Sequence, residues 1–275
     1  MKFRRSERLI DMTNYLLEHP RQLVSLTFFS ERYGSAKSSI SEDLAIIKET
    51  FEHRGIGTLQ TVPGAAGGVR YQVRVREEDA APIIADLCEL IASPDRLLPG
   101  GYLYMTDILG DPMIVQKCGR LFASAFADKE IDVVMTVATK GIALAYAVAN
   151  YLNVPVVIAR RDSRVTEGST VSINYVSGSA KRIQTMVLSK RSLDEGSNVL
   201  IVDDFMKAGG TVNGMISMLD EFKAKLAGIA VLVESEKSDE RLVDEYLSLV
   251  QLSDVDVKEK RINVTEGNYF TRTVN

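Results

Sequence analysis

The sequence predicts a two-domain α/β chain, a small N-terminal winged helix-turn-helix followed by a larger α/β domain with a mostly parallel central sheet. Three observations carry this reading. Residues 6–76 show three helical patterns and a hairpin on a locally basic stretch. From residue 112 onward, short unbroken apolar strands alternate with helices, the pattern of a parallel sheet covered on both faces. Between them lie an acidic helix start and a Pro/Gly-rich stretch at 93–101. The boundary is placed near residues 74–80, which divides the chain into domains 1–74 and 75–275.

In the first domain, residues 6–18 (SERLIDMTNYLLE) set Leu9, Met12, Leu16 and Leu17 at helical spacing, with Ser6 as the expected N-cap. After a break at His19-Pro20, residues 25–34 read as a short helix capped by Ser25 and closed by Gly34. Ser35 is expected to open a longer helix in which Ile40, Leu44, Ile47 and Phe51 recur at amphipathic spacing. A short helix, a tight turn and an amphipathic helix form the helix-turn-helix layout. The start of the second helix carries Lys37, Ser38 and Ser39, a cation and two short donors suited to phosphates or base edges. TLQTV and VRYQVRV then flank PGAAGG (63–68), a hairpin with a small-residue tip, followed by Arg70, Arg74 and Arg76. Such a wing lies along the backbone or minor groove of DNA. Arg4, Arg5, Lys37 and Arg70 are the expected phosphate contacts, and Ser38 and Ser39 the residues that reach base edges. The competing reading is a three-helix module whose ribbon only dimerises.

Charge supports the division. Residues 1–76 hold 12 Lys and Arg against 8 Asp and Glu, whereas the remainder holds 21 against 29. A basic module on an acidic body suits an anionic partner for the first domain only. The N-terminus lacks the apolar stretch of a signal peptide, and no run approaches a membrane span, so a cytoplasmic location without membrane attachment is expected. Cys88 and Cys118 fit neither a disulfide framework nor a zinc cluster, and His19 and His53 have no metal-ligating neighbours in sequence.

The second domain begins with a helix in EEDAAPIIADLCELIAS. Helices are then expected in PMIVQKCGRLFASAFA, GIALAYAVANYLN and TVNGMISMLDEF, and strands in IDVVMTV, VPVVIAR, RIQTMVLSK, NVLIVDD and AGIAVLVES. Ligands of such sheets bind at the carboxyl ends of the strands. One of those ends is VLIVDDFMKAGGT (199–211), where an apolar strand delivers Asp203 and Asp204 ahead of Phe205, Met206, Lys207, Ala208, Gly209, Gly210 and Thr211. The glycines let backbone amides approach a phosphate, and the helix start adds partial positive charge. The two carboxylates suit ribose hydroxyls, directly or through Mg²⁺. A second strand end, Val137 followed by Ala138, Thr139, Lys140 and Gly141, is by itself an ordinary strand-to-helix turn; its place upstream of the acidic motif resembles the turn that cradles pyrophosphate in type I phosphoribosyltransferases. Between them, residues 159–182 are polar, Gly/Ser-rich and basic, and read either as a mobile ribbon over the ligand or as an ordinary surface hairpin.

The 199–211 pattern resembles the phosphoribosyl pyrophosphate (PRPP) motif of type I phosphoribosyltransferases. The whole chain is similar to the purine operon repressors of Gram-positive bacteria, most closely in RRSERLIDMTNYLLEHP, AKSSISED, GAAGGV and VLIVDDFMKAGGT. That resemblance implies a type I phosphoribosyltransferase-like second domain and a homodimer on double-stranded operator DNA of purine genes. It also implies PRPP as the inducing effector, guanine alarmone nucleotides as competitors, and no obligatory cofactor beyond Mg²⁺ accompanying PRPP. By the same resemblance, Tyr102 and Phe205 bracket a nucleobase; core packing is the other use for them. Where the enzymes carry Thr or Ser before the Gly-Gly-Thr turn, this chain has Ala208, and no general base for a purine nitrogen is evident. Transferase activity is therefore not expected. An active purine phosphoribosyltransferase with an appended domain stays open, as does an RNA-binding regulator on the same ligand fold, although the acidic second domain disfavours the latter.

Overall fold

A computed structural model describes residues 3–64, 67–162, 167–177, 182–236 and 241–272. The first domain comprises α1 (Arg5–Glu18), α2 (Leu26–Tyr33), α3 (Lys37–His53), β1 (Thr58–Val62) and β2 (Gly68–Gln72). Met12, Leu16, Phe29, Ile40, Leu44, Ile47 and Phe51 close on one apolar core, whereas Leu17 points outward. The α2 boundaries follow the sequence reading: Ser25 Oγ accepts from the Phe28 amide at 3.1 Å, and Gly34 takes a left-handed φ of 59°. Two helix starts differ from expectation. Helix α1 begins before Ser6, because Glu7 accepts from the Arg4 amide at 2.7 Å and fixes Arg4 as the cap position. Helix α3 begins at Lys37 rather than Ser35, since Ser35 is held in the preceding turn by Ser30, whose hydroxyl donates to the Ser35 carbonyl at 2.6 Å. Strands β1 and β2 pair antiparallel, and Val24 bridges to Val69 as a third partner. Residues 65 and 66 of the expected hairpin tip lie outside the described residues.

The second domain opens with α4 (Glu77–Ile91). The 93–101 stretch is no open connection but a 3₁₀ turn (Pro94–Arg96) leading into the hairpin of β3 (Leu97–Leu98) and β4 (Tyr102–Leu103). Arg96 organises it, donating to the Leu90 and Tyr104 carbonyls at 2.6 and 3.0 Å and forking onto Asp107 at 2.7 and 2.9 Å. Next come α5 (Thr106–Gly110), α6 (Pro112–Ala125), β5 (Val133–Val137), α7 (Gly141–Leu152) and β6 (Val156–Ala159). These are followed by β7 (Thr170–Ser177), β8 (Arg182–Ser189), β9 (Asn198–Met206), α8 (Gly210–Glu221), β10 (Lys225–Ser235), β11 (Leu247–Asp256) and β12 (Arg261–Glu266). The six-stranded sheet runs β12-β11-β10-β9-β5-β6, parallel throughout except for β12.

Three strand assignments change. Strand β8 does not join the sheet; it pairs antiparallel with β7, which occupies part of the polar 159–182 stretch. Residues 163–166 and 178–181 of that stretch lie outside the described residues. Strands β11 and β12 escaped the sequence reading because, among the described residues, no helix lies between β10 and β11, so the helix–strand alternation stops there. Alternate residues of β9 face opposite sides. Leu200 and Val202 join a core with α4, α6 and α7, while Val199 and Ile201 join one with α8 and the β7–β8 ribbon.

The two domains are tied by hydrogen bonds as well as apolar contact. Val73 belongs to the α4–α6–α7 core. The Val75 amide donates to Ser124 Oγ at 2.8 Å, Gln72 Nε2 to the Ala127 carbonyl at 3.3 Å, and Arg21 Nη2 to the Lys129 carbonyl at 2.7 Å. Arg120 of α6 donates to the carbonyls of Gly55 and Ile56 in the α3–β1 turn, and Arg74 pairs with Asp128. Among the described residues, no helix is long and apolar enough to cross a membrane.

Helices α6 and α7 cross closely at Gly119, where a Cβ would sit 2.6 Å from the Ala147 Cβ. Gly119→Ala is expected to destabilise the chain by about 1–3 kcal/mol despite its better helix propensity, because backbone must move to admit the methyl group. Urea unfolding checks this; an unchanged midpoint contradicts the crossing as described.

Candidate ligand site and nucleic-acid interface

Strand β9 is buried on both faces, and its carboxyl end carries two consecutive acids into the interior. Asp203 is only 4% exposed, and the Asp204 amide donates to its Oδ1 at 3.0 Å. Burial pushes the Asp203 carboxyl well above the ordinary carboxylate range, and the neighbouring Asp204 charge raises it further. Asp204 is also raised by burial, while the ammonium of Lys140 pulls the other way. The Gly-Gly turn follows directly. Gly209 has a φ of 82° and stands at the N-cap of α8, with Val243 only 3.0 Å from where a Cβ would be.

A cleft of about 740 Å³ lies over this end of the sheet. Residues 203–211 line one side with Lys140, and Tyr102 with its neighbours from the β3–β4 hairpin lines another. Residues 252–255 of β11 close the far wall. Tyr102 and Phe205, expected to bracket a base, thus open onto the same cavity, Tyr102 being 67% exposed and Phe205 half-buried. An adjoining recess of about 490 Å³ shares Asp203, Asp204 and Thr211 and is walled by residues 137–140. The Ala138–Thr139 peptide there is cis. Gly141 does not line the recess. It lets α7 approach the strand so closely that a Cβ would strike Thr136 Oγ1 and come within 3.4 Å of Asp203 Oδ1.

Sequence reading missed two cations in that recess, Arg160 and Arg161. Their signal was available: both follow the apolar run VPVVIA directly, at the carboxyl end of a parallel strand. With Lys140 they face the acid pair across a space suited to a polyphosphate. Among the described residues no three acid, His or Cys side chains cluster to hold a metal. A hard cation such as Mg²⁺ fits the two buried carboxylates only if bound ligand and water supply its remaining oxygens.

The first domain presents Lys37 and Ser38 exposed and Ser39 half-buried at the start of α3, and Arg4 exposed at the N-cap of α1. A crevice of about 380 Å³ separates α3 from the ribbon and is lined by Lys37 and also by Lys48, which sequence reading did not single out. Arg5 is committed elsewhere: its Nε donates to Asp43 at 2.9 Å, and Arg8 donates to the other oxygen of that fully buried carboxylate at 2.9 Å. Those bonds clamp α1 onto the reading helix. Arg70 is not the exposed wing cation expected. It is half-buried with its Nε shielded and unpartnered among the described residues. Its charge, after burial, is the second cause lowering the Arg21 pKa, which places it beside the domain junction.

A winged-helix domain docked on a phosphoribosyltransferase-fold domain, with an acid pair and a glycine turn in its cleft, is the class these elements define. Residues 4–73 match the family described as bacterial purine repressor, N-terminal, and residues 105–266 match the phosphoribosyl transferase domain. The chain is 68% identical over 270 residues to the purine biosynthesis transcriptional repressor PurR of Bacillus subtilis, covering 98% of this chain and 95% of that protein. It is 49% identical over 267 residues to the purine biosynthesis transcriptional activator PurR of Lactococcus lactis, covering 97% and 98%. The fold of the second domain is shared with APRTase from Giardia lamblia, at a TM-score of 0.55 and 24% identity over 62% of this chain and 98% of that structure. The chain belongs to the bacterial purine repressor family.

The buried acid pair has a pH signature. The unfolded chain releases these protons near the ordinary value of 3.8, whereas the fold retains them to higher pH. Their contribution to stability is therefore complete below that value and is lost as pH rises through the raised folded pKa values. In ligand-free protein, Asp203→Asn with Asp204→Asn is expected to flatten the decline in thermal stability between the ordinary carboxylate value and the raised folded pKa values. Melting temperatures across pH test it, and superimposable profiles for wild type and variant contradict it.

Proposed function

We propose that this chain is a transcriptional repressor of purine biosynthesis genes. As a cytoplasmic homodimer it binds double-stranded operator DNA through its winged helices and senses PRPP in the α/β cleft, where guanine alarmone nucleotides compete. The observation that carries the reading is the pairing, within one hydrogen-bonded body, of an exposed reading helix with a cleft whose buried carboxylates adjoin a helix start. Two buried acids without a partner are costly, and ribose hydroxyls with an accompanying Mg²⁺ would relieve that cost. The turn and the recess with Lys140, Arg160 and Arg161 would take the phosphates. Tyr102 and Phe205 offer faces for a guanine ring, which PRPP lacks, so the two ligand classes would share phosphate positions and exclude one another.

Relatives named as repressor and as activator are both similar to this chain over nearly its whole length. Repression is favoured by the higher identity to the repressor. Saturating PRPP with Mg²⁺ is expected to weaken binding to purine-gene operator DNA by about 5–150-fold, the usual span of such couplings. Asp203→Ala with Asp204→Ala should erase that response and leave ligand-free DNA affinity near wild type. Fluorescence anisotropy with operator and scrambled duplexes measures both, and a double variant that still responds to PRPP sinks the assignment.

The chain is proposed to lack transferase activity, because Ala208 stands where the enzymes carry a hydroxyl donor before the turn and the sequence shows no evident base for a purine nitrogen. Incubation with PRPP, Mg²⁺ and each purine base should yield no nucleotide above background. Turnover of about 1 s⁻¹, well within the enzyme range, overturns this.

A further inference from the structure

Beside the cleft, but not lining it, Glu234 ends β10 at 2% exposure with both carboxylate oxygens occupied. Its Oε1 accepts from Ser248 Oγ at 2.6 Å; its Oε2 accepts from Arg241 Nη1 at 2.8 Å and from the Tyr246 hydroxyl. Arg241 forks onward, donating from Nη2 to the Ser235 carbonyl at 2.9 Å, and its guanidinium lies over the Tyr246 ring at 5.1 Å. Asn268 completes the support: its Oδ1 accepts from the Ser248 amide at 2.8 Å and its Nδ2 donates to the Tyr246 carbonyl at 3.0 Å. Buried ion pairs of this kind seldom stabilise a fold more than apolar packing would, so what this one adds is a fixed geometry for the segment it holds.

That segment is 241–246, and it grips the phosphate turn. The Leu242 amide donates to the Ala208 carbonyl at 2.9 Å, and the buried Val243 packs against Gly209. A turn made of consecutive glycines has the largest backbone freedom of any sequence, so its ligand-ready shape has to be imposed from outside. We propose that Glu234, through Arg241 and Tyr246, is the positioning residue that holds the 208–211 turn ready for the 5-phosphate of the ligand. The inference rests on the reading of the cleft as a phosphoribosyl site; Glu234 itself touches no ligand.

The test compares full-length wild type with Glu234→Gln and Arg241→Met. Hydrogen–deuterium exchange without ligand is expected to speed up, at least several-fold, in peptides spanning 205–215 and 241–246, with the winged helix unchanged. Calorimetry with PRPP and Mg²⁺ should show affinity at least tenfold weaker, while ligand-free operator affinity stays within twofold. Arg241→Lys, which keeps one bond to Glu234 but loses the fork, should fall between. Unchanged exchange at the turn together with wild-type PRPP affinity overturns the proposal, as does equal loss of PRPP and DNA binding, which marks a merely structural role. Should Glu234→Gln fail to fold, Tyr246→Phe, which deletes a single hydroxyl, is judged by the same criteria. If wild type itself does not bind PRPP, the reading of the cleft fails, while the exchange result still decides whether Glu234 governs the turn.

Discussion

A strand buried on both faces ends in two adjacent carboxylates, and much of the second domain answers to that constraint. Asp203 sits against the Asp204 amide, close to the start of α7, where only glycine fits at position 141. Desolvation holds both acids toward protonation and the Asp204 charge adds to this at Asp203, while at Asp204 the hydrogen bond with Asp203 and the charge of Lys140 only partly offset it. A site in this condition is poised for a partner that brings hydroxyl donors or positive charge. The glycine turn, the cations of the adjoining recess and the wall from β11 surround that place with complementary chemistry.

The first domain does not hang from a loose linker. Bonds from Gln72, Val75, Arg74 and Arg21 reach the end of α6 and the turn after it, and Arg120 returns to the α3–β1 turn. The turn after α6 also connects to β9, since Asp132 accepts from the Asn198 amide at 2.7 Å and from Asn198 Nδ2 at 2.9 Å, where β9 begins. A continuous set of short contacts therefore runs from the reading helix to the base of the strand that ends in the acid pair.

Three interior charged clusters hold neighbouring segments in place. Asp43 receives Arg5 and Arg8 and sets α1 against α3. Arg96 gathers two carbonyls and Asp107 around the β3–β4 hairpin that carries Tyr102. Glu234 does the same for the segment behind the phosphate turn. The pairs lie far apart in sequence or inside irregular stretches, where periodicity is silent about them.

The reading helix, the hairpin that follows it, the alternating strands and helices after residue 112 and the 199–211 motif were all legible from local pattern. Ser25 and Gly34 bound α2 as the sequence predicts. Sequence alone thus determined the two-domain class and the acid-plus-glycine site, because backbone geometry, caps and strand-end chemistry are properties of short segments. Tertiary structure decided which cations are free. Arg5 bonds to Asp43 and Arg70 lies half-buried near the junction, while Lys48, paired with Glu52, lines the crevice beside α3, and Arg161 and Arg160, the latter paired with Glu167, line the recess beside the acid pair. It also sent β8 to a ribbon instead of the sheet and added β11 and β12 at its edge. The availability of a charge depends on what folds against it, and strand pairing on partners distant in the chain, so neither is written in the neighbouring residues.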